Sequence, residues 1–503
     1  MKQNSVKKNY IYNLAFQLFA LVTPLITTPY VARVLSTVGN GQYTFSASIN
    51  SYFCMVAALG FSIYAQREIA KKQGDKEAQS VVFWEIIVCK VIVGFASFGT
   101  CWVLIFLHVF GEYTLLMEIL SIEILSTTFN IVFFFQGNEQ FGLIAARDFI
   151  VRILGILLIF CFVKNPDDLW LYAFCNSGTA LFSTVLLWAN IKKYITGIRI
   201  NQLRPYRHLK SSFKLFIPTI AISIYTLLDK TLIGLLIPGV MEKHLPNGTV
   251  ILCRIADIEN GYYGQSEKII KMAMTVLASL GTVMMPHNSK ALAEGRIEIF
   301  LNNINKAIEF VFFIGAPISA GIAAIAYNFV PWFFGSGYEK VSPLMMIFSV
   351  MVLPAGLGNV LGQQYLIPKG EDNKYIFAYV ASAILNFSLN LLLIPLLLSY
   401  GAAIASVIAE CLAPLMMLMF LRNNIRLSFI LKRNWKALLS ALAMFLLVFF
   451  TGKQCSASVL NTIILITEGV ISYILFVLVF KYRLALDIFH TIKKRIGGLK
   501  HGK

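Results

Sequence analysis

The sequence predicts an all-α integral membrane protein: about fourteen transmembrane helices, in two pseudo-symmetric six-helix lobes plus two C-terminal helices. Three observations predict it. Hydrophobic residues fill 57% of the 503 positions and charged residues only 14%, against roughly 25% charged in an ordinary soluble domain. Most of the chain must therefore face lipid or the inside of a bundle. The apolar residues come in long continuous runs, where barrel strands would alternate with period two over about ten residues. Runs of this kind that cross lipid are helices, because a helix satisfies its own backbone. Finally, one phrase is written twice. Asn40-Gly41-Gln42-Tyr43 and Asn260-Gly261-Tyr262-Tyr263 both open the pattern N-G-x-Y-x-x-S-x-x-I, 220 positions apart.

A span needs about 20 apolar residues. Candidate spans fall at 11–33, 43–65, 80–107, 114–136, 146–163, 168–190, 213–238, 262–285, 305–327, 341–365, 374–396, 401–421, 437–451 and 457–480. The segment 239–261 is mixed in character. The run from Ile11 to Ala32 is too long for a signal-peptide core and lacks a small-x-small cleavage site, so it reads as a retained first helix. The repeated phrase follows span one and then span seven, where its glycine and tyrosine are expected to turn the chain at the outer face. A second echo agrees: QGNEQF (136–141) follows span four and KGEDNKY (369–375) follows span ten. Both shift by six spans. An even shift preserves orientation, so the repeats are parallel, related by an axis along the membrane normal. Pro24 and Pro29 in span one and Pro218 in span seven add matching helix breaks. The expected organisation is an N-terminal lobe (1–190), a basic linker (191–212), a C-terminal lobe (213–421), and two further helices with a basic tail (422–503).

The net charge of +18 would suggest nucleic acid in a soluble protein. No nucleic-acid motif appears, and the basic residues sit mostly in short loops. Residues 190–214 hold seven Lys/Arg and no acid, 422–436 hold five and no acid, and the tail from Lys481 holds seven. The alternate loops STVGNGQ, HVFGEY and SYGAA have none. The positive-inside rule then puts both termini in the cytoplasm, with anionic lipid headgroups as natural neighbours of the basic loops. The eight cysteines form no CxxC, and the six histidines no HxxxH. Neither a disulfide frame nor a metal site is expected. No GxxxxGK[ST] occurs, so ATP hydrolysis within this chain is not expected, and no cofactor is expected.

Ionisable residues at mid-bilayer cost at least ~2.5–3.5 kcal/mol on insertion scales, so each should face a partner or a cavity. Asp229 and Lys230 lie mid-span in span seven. Neighbours on a helix point about 100° apart, so they are not a simple mutual pair. Arg33 ends span one. Glu85 and Lys90 lie in span three, Glu118 and Glu123 in span four, Arg147, Asp148 and Arg152 in span five. Glu267, Lys268 and Lys271 open span eight, and Glu309, Glu410 and Glu468 come later. Arg147, Asp148 and Glu309 lie near span ends and read as snorkelling groups or structural pairs. Glu267 and Lys271 have i,i+4 spacing. Arg33, Lys230 and Lys268 are candidate ligands for a phosphate-bearing headgroup, through an arginine fork or a lysine point charge. Asn386 and Asn390, one turn apart in span eleven, could hydrogen-bond sugars or a neighbouring helix. Asp229 and Glu267 are candidates for ion coupling or gating.

The stretch TPLITTPYVARVLSTVGNGQYTFSASINSY, followed by LGFSIYAQREIA, resembles the N-terminal signature of polysaccharide (Wzx-type) flippases. This is the oligosaccharide flippase family of the multidrug/oligosaccharidyl-lipid/polysaccharide exporter superfamily. Further matches follow in family order: FFFQGNEQFGLIAARDFIVR, NPDDLWLYAF, NGYYGQSEKI, NFVPWFFGSGY, GQQYLIPKGEDNKY and GAAIASVIAE. Ser36 stands where the family commonly has the glycine of R-V-L-G, and the segment 238–259 is longer than usual. The resemblance implies fourteen helices around a central cavity, and a non-enzymatic carrier in a bacterial plasma membrane. Its cargo would be a polyprenyl-pyrophosphate-linked oligosaccharide. Membrane lipids, H⁺ or Na⁺, and other polysaccharide-assembly proteins are the further partners to expect, without nucleic acid. Two rivals stay open. A multidrug exporter of the same superfamily would want an acidic, aromatic cavity rather than these lysines and arginines. A membrane polymerase or ligase would want a large outward loop with an acid/base pair.

Overall fold

The computed structural model describes residues 6–197, 203–244, 248, 250–422 and 424–486. Its contacts divide the chain into two compact units, Met1–Gly261 and Tyr262–Lys503. Both are helical. Among the described residues nine helical segments are long and apolar enough to cross a membrane: Lys76–Phe106, Gly111–Gly137, Pro166–Ile191, Ile297–Phe334, Val341–Leu366, Asp372–Leu397, Ser399–Phe420, Leu427–Gln454 and Val459–Val479.

The first unit opens with α1 (Val6–Ala58), which runs through both of the first two expected spans and is interrupted at Ser36 (φ 59°, ψ −175°). The break frees backbone carbonyls, and a buried carbonyl needs a donor. Asn40 supplies one: its Nδ2 donates to Ser36 O at 2.7 Å and to Val31 O at 3.3 Å. The expected turn at the repeated phrase is therefore corrected. The chain bends at Ser36, and Gly41 and Tyr43 lie inside helix beyond it. Leu59 and Gly60, both with positive φ, end the second limb early and lead into α2 (Phe61–Lys71), so the span placed at 43–65 is cut short.

α3 (Lys76–Phe106) starts at Asp75, whose side chain accepts from Ala78 N at 2.9 Å, the usual aspartate N-cap. α4 (Thr114–Phe129) stops at Asn130 and α5 (Val132–Gly137) resumes the path. Lys90, 2% exposed, donates to the Asn130 carbonyl and lies over the Phe133 ring. A cation at a helix C-terminus is favourably placed, so this buried lysine secures the break. α6 (Phe141–Phe162), α7 (Leu169–Ile191) and α8 (Tyr206–Leu236) follow. Phe83, Phe134 and Trp188 centre the aromatic core of this unit.

The mixed segment expected at 239–261 is not helical throughout. It forms an antiparallel hairpin, β1 (Val240–His244) paired with β2 (Val250–Arg254) in the register Val240↔Arg254, and then enters α9 (Ile255–Ala293). This hairpin departs from the all-α expectation. It sits in the segment noted as longer than usual in the family.

The second unit begins inside α9 and continues through α10 (Ile297–Phe334), α11 (Val341–Ser349), α12 (Val352–Asn359) and a π-helical turn (Val360–Leu366). α13 (Asp372–Leu397), α14 (Ser399–Phe420), α15 (Leu427–Gln454) and α16 (Val459–Val479) complete it. Phe300, Tyr365 and Met417 lie in its core. The last two helices are fastened to α10 by polar contacts. Arg433 pairs with Glu309, Tyr473 Oη donates to Phe313 O at 2.9 Å, and Asn328 Nδ2 donates to Gly452 O at 2.9 Å.

Candidate functional site

The repeated phrase marks a helix crossing inside the first unit. A Cβ on Gly41 would stand 1.6 Å from the carbonyl oxygen of Asp257, and one on Gly261 would stand 2.2 Å from that of Thr37. Each glycine thus faces the backbone four residues before the other. Only glycine lets two backbones approach so closely. The phrase repeats because both sides of one crossing need it.

Beside this crossing lies a polar interior. On the second limb of α1, Asn50 Nδ2 donates to Leu120 O at 2.9 Å and to Glu123 Oε2 at 3.3 Å. Ser177 of α7 donates to Glu123 Oε1 at 3.2 Å. Ser48 and Thr231 share a 3.0 Å hydrogen bond, joining α1 to α8. Asp229, 3% exposed, lies two residues before Thr231, and Lys230 is half-buried. Arg33 is exposed on the first limb of α1. At the basic end of the same unit, Glu85 accepts from Arg204 N (2.8 Å), Arg207 Nε (2.9 Å) and the His208 ring (2.8 Å). This ties the start of α8 to α3.

In the second unit Glu267 pairs with Lys271 at 2.7 Å, and Lys268 next to it is half-buried. Asn386 and Asn390 are fully buried on α13, and Asn390 Nδ2 donates to Asn386 Oδ1 at 3.0 Å. The sequence-derived candidates thus divide between the units: Arg33, Asp229 and Lys230 in the first; Glu267, Lys268, Asn386 and Asn390 in the second. The structure brings together the two asparagines, and couples Glu267 to Lys271. Arg147 with Asp148, and Glu309 with Arg433, form structural pairs.

The profile of the polysaccharide biosynthesis protein family matches residues 6–292, more than half of the chain. This chain belongs to that family. A second profile, that of the lipid II flippase MurJ, matches residues 249–480. Among curated relatives, the "Putative O-antigen transporter" of Escherichia coli (strain K12) is 24% identical over 426 residues, covering 84% of this chain and 97% of its own length. Among solved structures, lipid II flippase MurJ in an inward closed conformation aligns with TM-score 0.73 at 15% identity, over 94% of this chain and 99% of that one. An inward-facing multidrug resistance MATE transporter aligns with TM-score 0.64 at 14% identity, over 84% and 99%. The family member described here is thus a multi-pass membrane protein with a fold shared by flippases and multidrug transporters.

Sequence reasoning missed one cluster in this family member. Asp257 is fully buried and accepts from Tyr113 Oη at 2.7 Å and from Gln42 Nε2 at 3.4 Å. Arg254 in turn donates to Tyr113 Oη at 2.9 Å. Asp257 precedes the span expected at 262–285. Burial pushes its carboxyl up to about 6, against the opposing hydrogen bond from Tyr113. A 220-residue offset sets Asp257 against Thr37, so the repeat itself contained the signal: an acid in one copy and a hydroxyl in the other.

Proposed function

We propose that this protein is a flippase carrying polyprenyl-pyrophosphate-linked oligosaccharide repeat units from the cytoplasmic to the outer leaflet of a bacterial plasma membrane. Its product feeds capsule, exopolysaccharide or O-antigen assembly. One coincidence carries the reading: a polysaccharide biosynthesis family match over 6–292 on a chain whose fold aligns with a lipid II flippase over 94% of its length. The relatives are named as transporters and flippases, so the work is carriage without covalent chemistry.

The helix sequence supports the finer architecture. Counting α1 as two limbs at Ser36, and α11, α12 and the π turn as one path, gives six spans before α8 when α2 is set aside as too short and α5 continues α4. Six more run from α8 to α14, and α15 and α16 add two. The basic loops support cytoplasmic termini. In this scheme Arg33 and Lys230 in the first unit, and Lys268 in the second, are candidate ligands for phosphate-bearing headgroups, and Asn386 and Asn390 are candidates to hydrogen-bond sugar. Asp229 and Glu267 couple an H⁺ or Na⁺ to the return step. Alternating access moves the headgroup, and an inside-negative potential favours outward movement of negative charge by about 2.3 kcal/mol per charge per 100 mV.

The test is leaflet accumulation. Depleting the protein should trap lipid-linked oligosaccharide in the cytoplasmic leaflet; accumulation in the outer leaflet would refute the reading. The likeness to a multidrug transporter fold favours one rival, drug export. That rival requires the deletion strain to become sensitive to organic cations while its polysaccharide stays normal.

A further inference from the structure

We propose that the first unit carries a carbohydrate subsite where α1 bends, taking one neutral pyranose ring of the transported oligosaccharide. The inference rests on the flippase reading and assigns it a second contact point, which begins just beyond Arg33 in the chain. A cavity of about 310 Å³ lies there, bounded by Ser36, Gln42, Glu112, Asp167, Trp170 and the β2 residue Cys253 among others. That is the small end of the range for ligand sites, which run from about 300 to 1,000 Å³, so one ring rather than a chain is the fitting occupant.

The lining has the chemistry that sugars need. The indole of Trp170, 45% exposed, offers a flat apolar surface to the C–H face of a pyranose. Glu112 and Asp167 accept hydrogen bonds from hydroxyl groups. Ser36, 7% exposed, forms part of the wall at the bend, with its hydroxyl oxygen buried.

The wall is pre-set. Gln42 spends one donor on Asp257 Oδ2 at 3.4 Å, which leaves its amide oxygen for a ligand. Arg254 supports this side through Tyr113 and lies 3.9 Å from Glu112. Asp168 Oδ2 accepts from Lys164 N and Asn165 N, each at 2.8 Å, fixing the turn that presents Asp167 and Trp170. Side chains held by their own supports bind with less ordering cost. On the proposed topology the loops bearing Ser36 and Glu112, bare of lysine and arginine, face outward. The subsite therefore meets the sugar on the release side.

The test uses the full-length protein in lipid nanodiscs and saturation-transfer NMR with glucose, galactose and N-acetylglucosamine. At least one sugar should give a signal. Trp170→Leu and Asp167→Asn should each weaken binding about tenfold, as for loss of one contact of about 1.4 kcal/mol. Trp170→Tyr, which keeps a stacking face, should bind nearly as wild type, as should Lys71→Ala at a distant exposed position. Trp170 is surface-facing, so these changes leave the core intact. The proposal is overturned if no sugar binds, if binding is indifferent to Trp170→Leu, or if calcium alone binds the acidic wall. Leaflet assays on the same strains separate the two ideas. If the deletion traps lipid-linked sugar while the subsite variants neither bind nor transport differently from wild type, only the subsite fails. If the deletion traps nothing, the flippase reading fails whatever the sugars do.

Discussion

Replacing Ser36 with glycine should make the protein more stable. Ser36 holds φ 59° and ψ −175°, a region that essentially only glycine occupies, and such a residue costs of order 1–3 kcal/mol. Glycine removes that cost. It also adds back about 0.5–1 kcal/mol through the greater freedom of the unfolded chain. The net gain is therefore roughly 0–2.5 kcal/mol, and a gain of about 2 kcal/mol shifts the folded-to-unfolded ratio about thirty-fold. Ser36→Ala is the control, because alanine keeps the Cβ that makes the backbone strained. Unfolding can be followed at a single heating rate with a thiol-reactive fluorophore, since the free cysteines include the buried Cys89, Cys101, Cys175 and Cys253. Ser36→Gly should unfold later than both wild type and Ser36→Ala. If alanine stabilises as much as glycine, the gain comes from losing the unpaired hydroxyl and the strain argument is wrong.

Four further outcomes follow from the geometry. Gly41→Ala and Gly261→Ala each drive a Cβ into backbone, so both should lose more than the ~1–3 kcal/mol of ordinary overpacking and yield little folded protein. Gly99→Ala, with nothing within 4 Å of its Cβ, should instead gain up to about 1 kcal/mol of helix propensity in thermal unfolding. Glu85→Gln leaves Arg207 and His208 without their carboxylate. The loss should be roughly 2–3 kcal/mol, less than for a fully buried pair because the Arg207 side chain is half-exposed; limited proteolysis between α7 and α8 should quicken. Asp257 has a carboxyl raised in the folded state from 3.8 to about 6, so its stabilising contribution is full below pH 3.8 and disappears as pH rises through about 6. Asp257→Asn should flatten the pH dependence of unfolding across that window, and an unchanged slope would place the titration elsewhere.

The membrane class, the helix content and the family were legible in the sequence because their signals are local. Hydropathy runs along the chain, and the repeated N-G-x-Y phrase can be read letter by letter. The i,i+4 pair Glu267–Lys271 was legible for the same reason, since helix spacing alone brings it together. For Glu309 the sequence left snorkelling and structural pairing open, because its partner Arg433 lies 124 positions away and no local rule selects it. What the phrase is for was settled only by packing. Gly41 and Gly261 are there to let two backbones cross, and Asn40 is there to satisfy carbonyls freed at Ser36. The cluster of Asp257, Tyr113, Arg254 and Gln42 was hidden for a related reason, since its members come from four separate elements. By itself the sequence determined that this chain enters a membrane as helices and that one phrase recurs 220 positions on. Only the tertiary structure decided where the helices break, which polar groups are buried together and which side chains line a cavity. Those outcomes depend on approach distances and hydrogen-bond satisfaction between residues far apart in the chain, where periodicity carries no information.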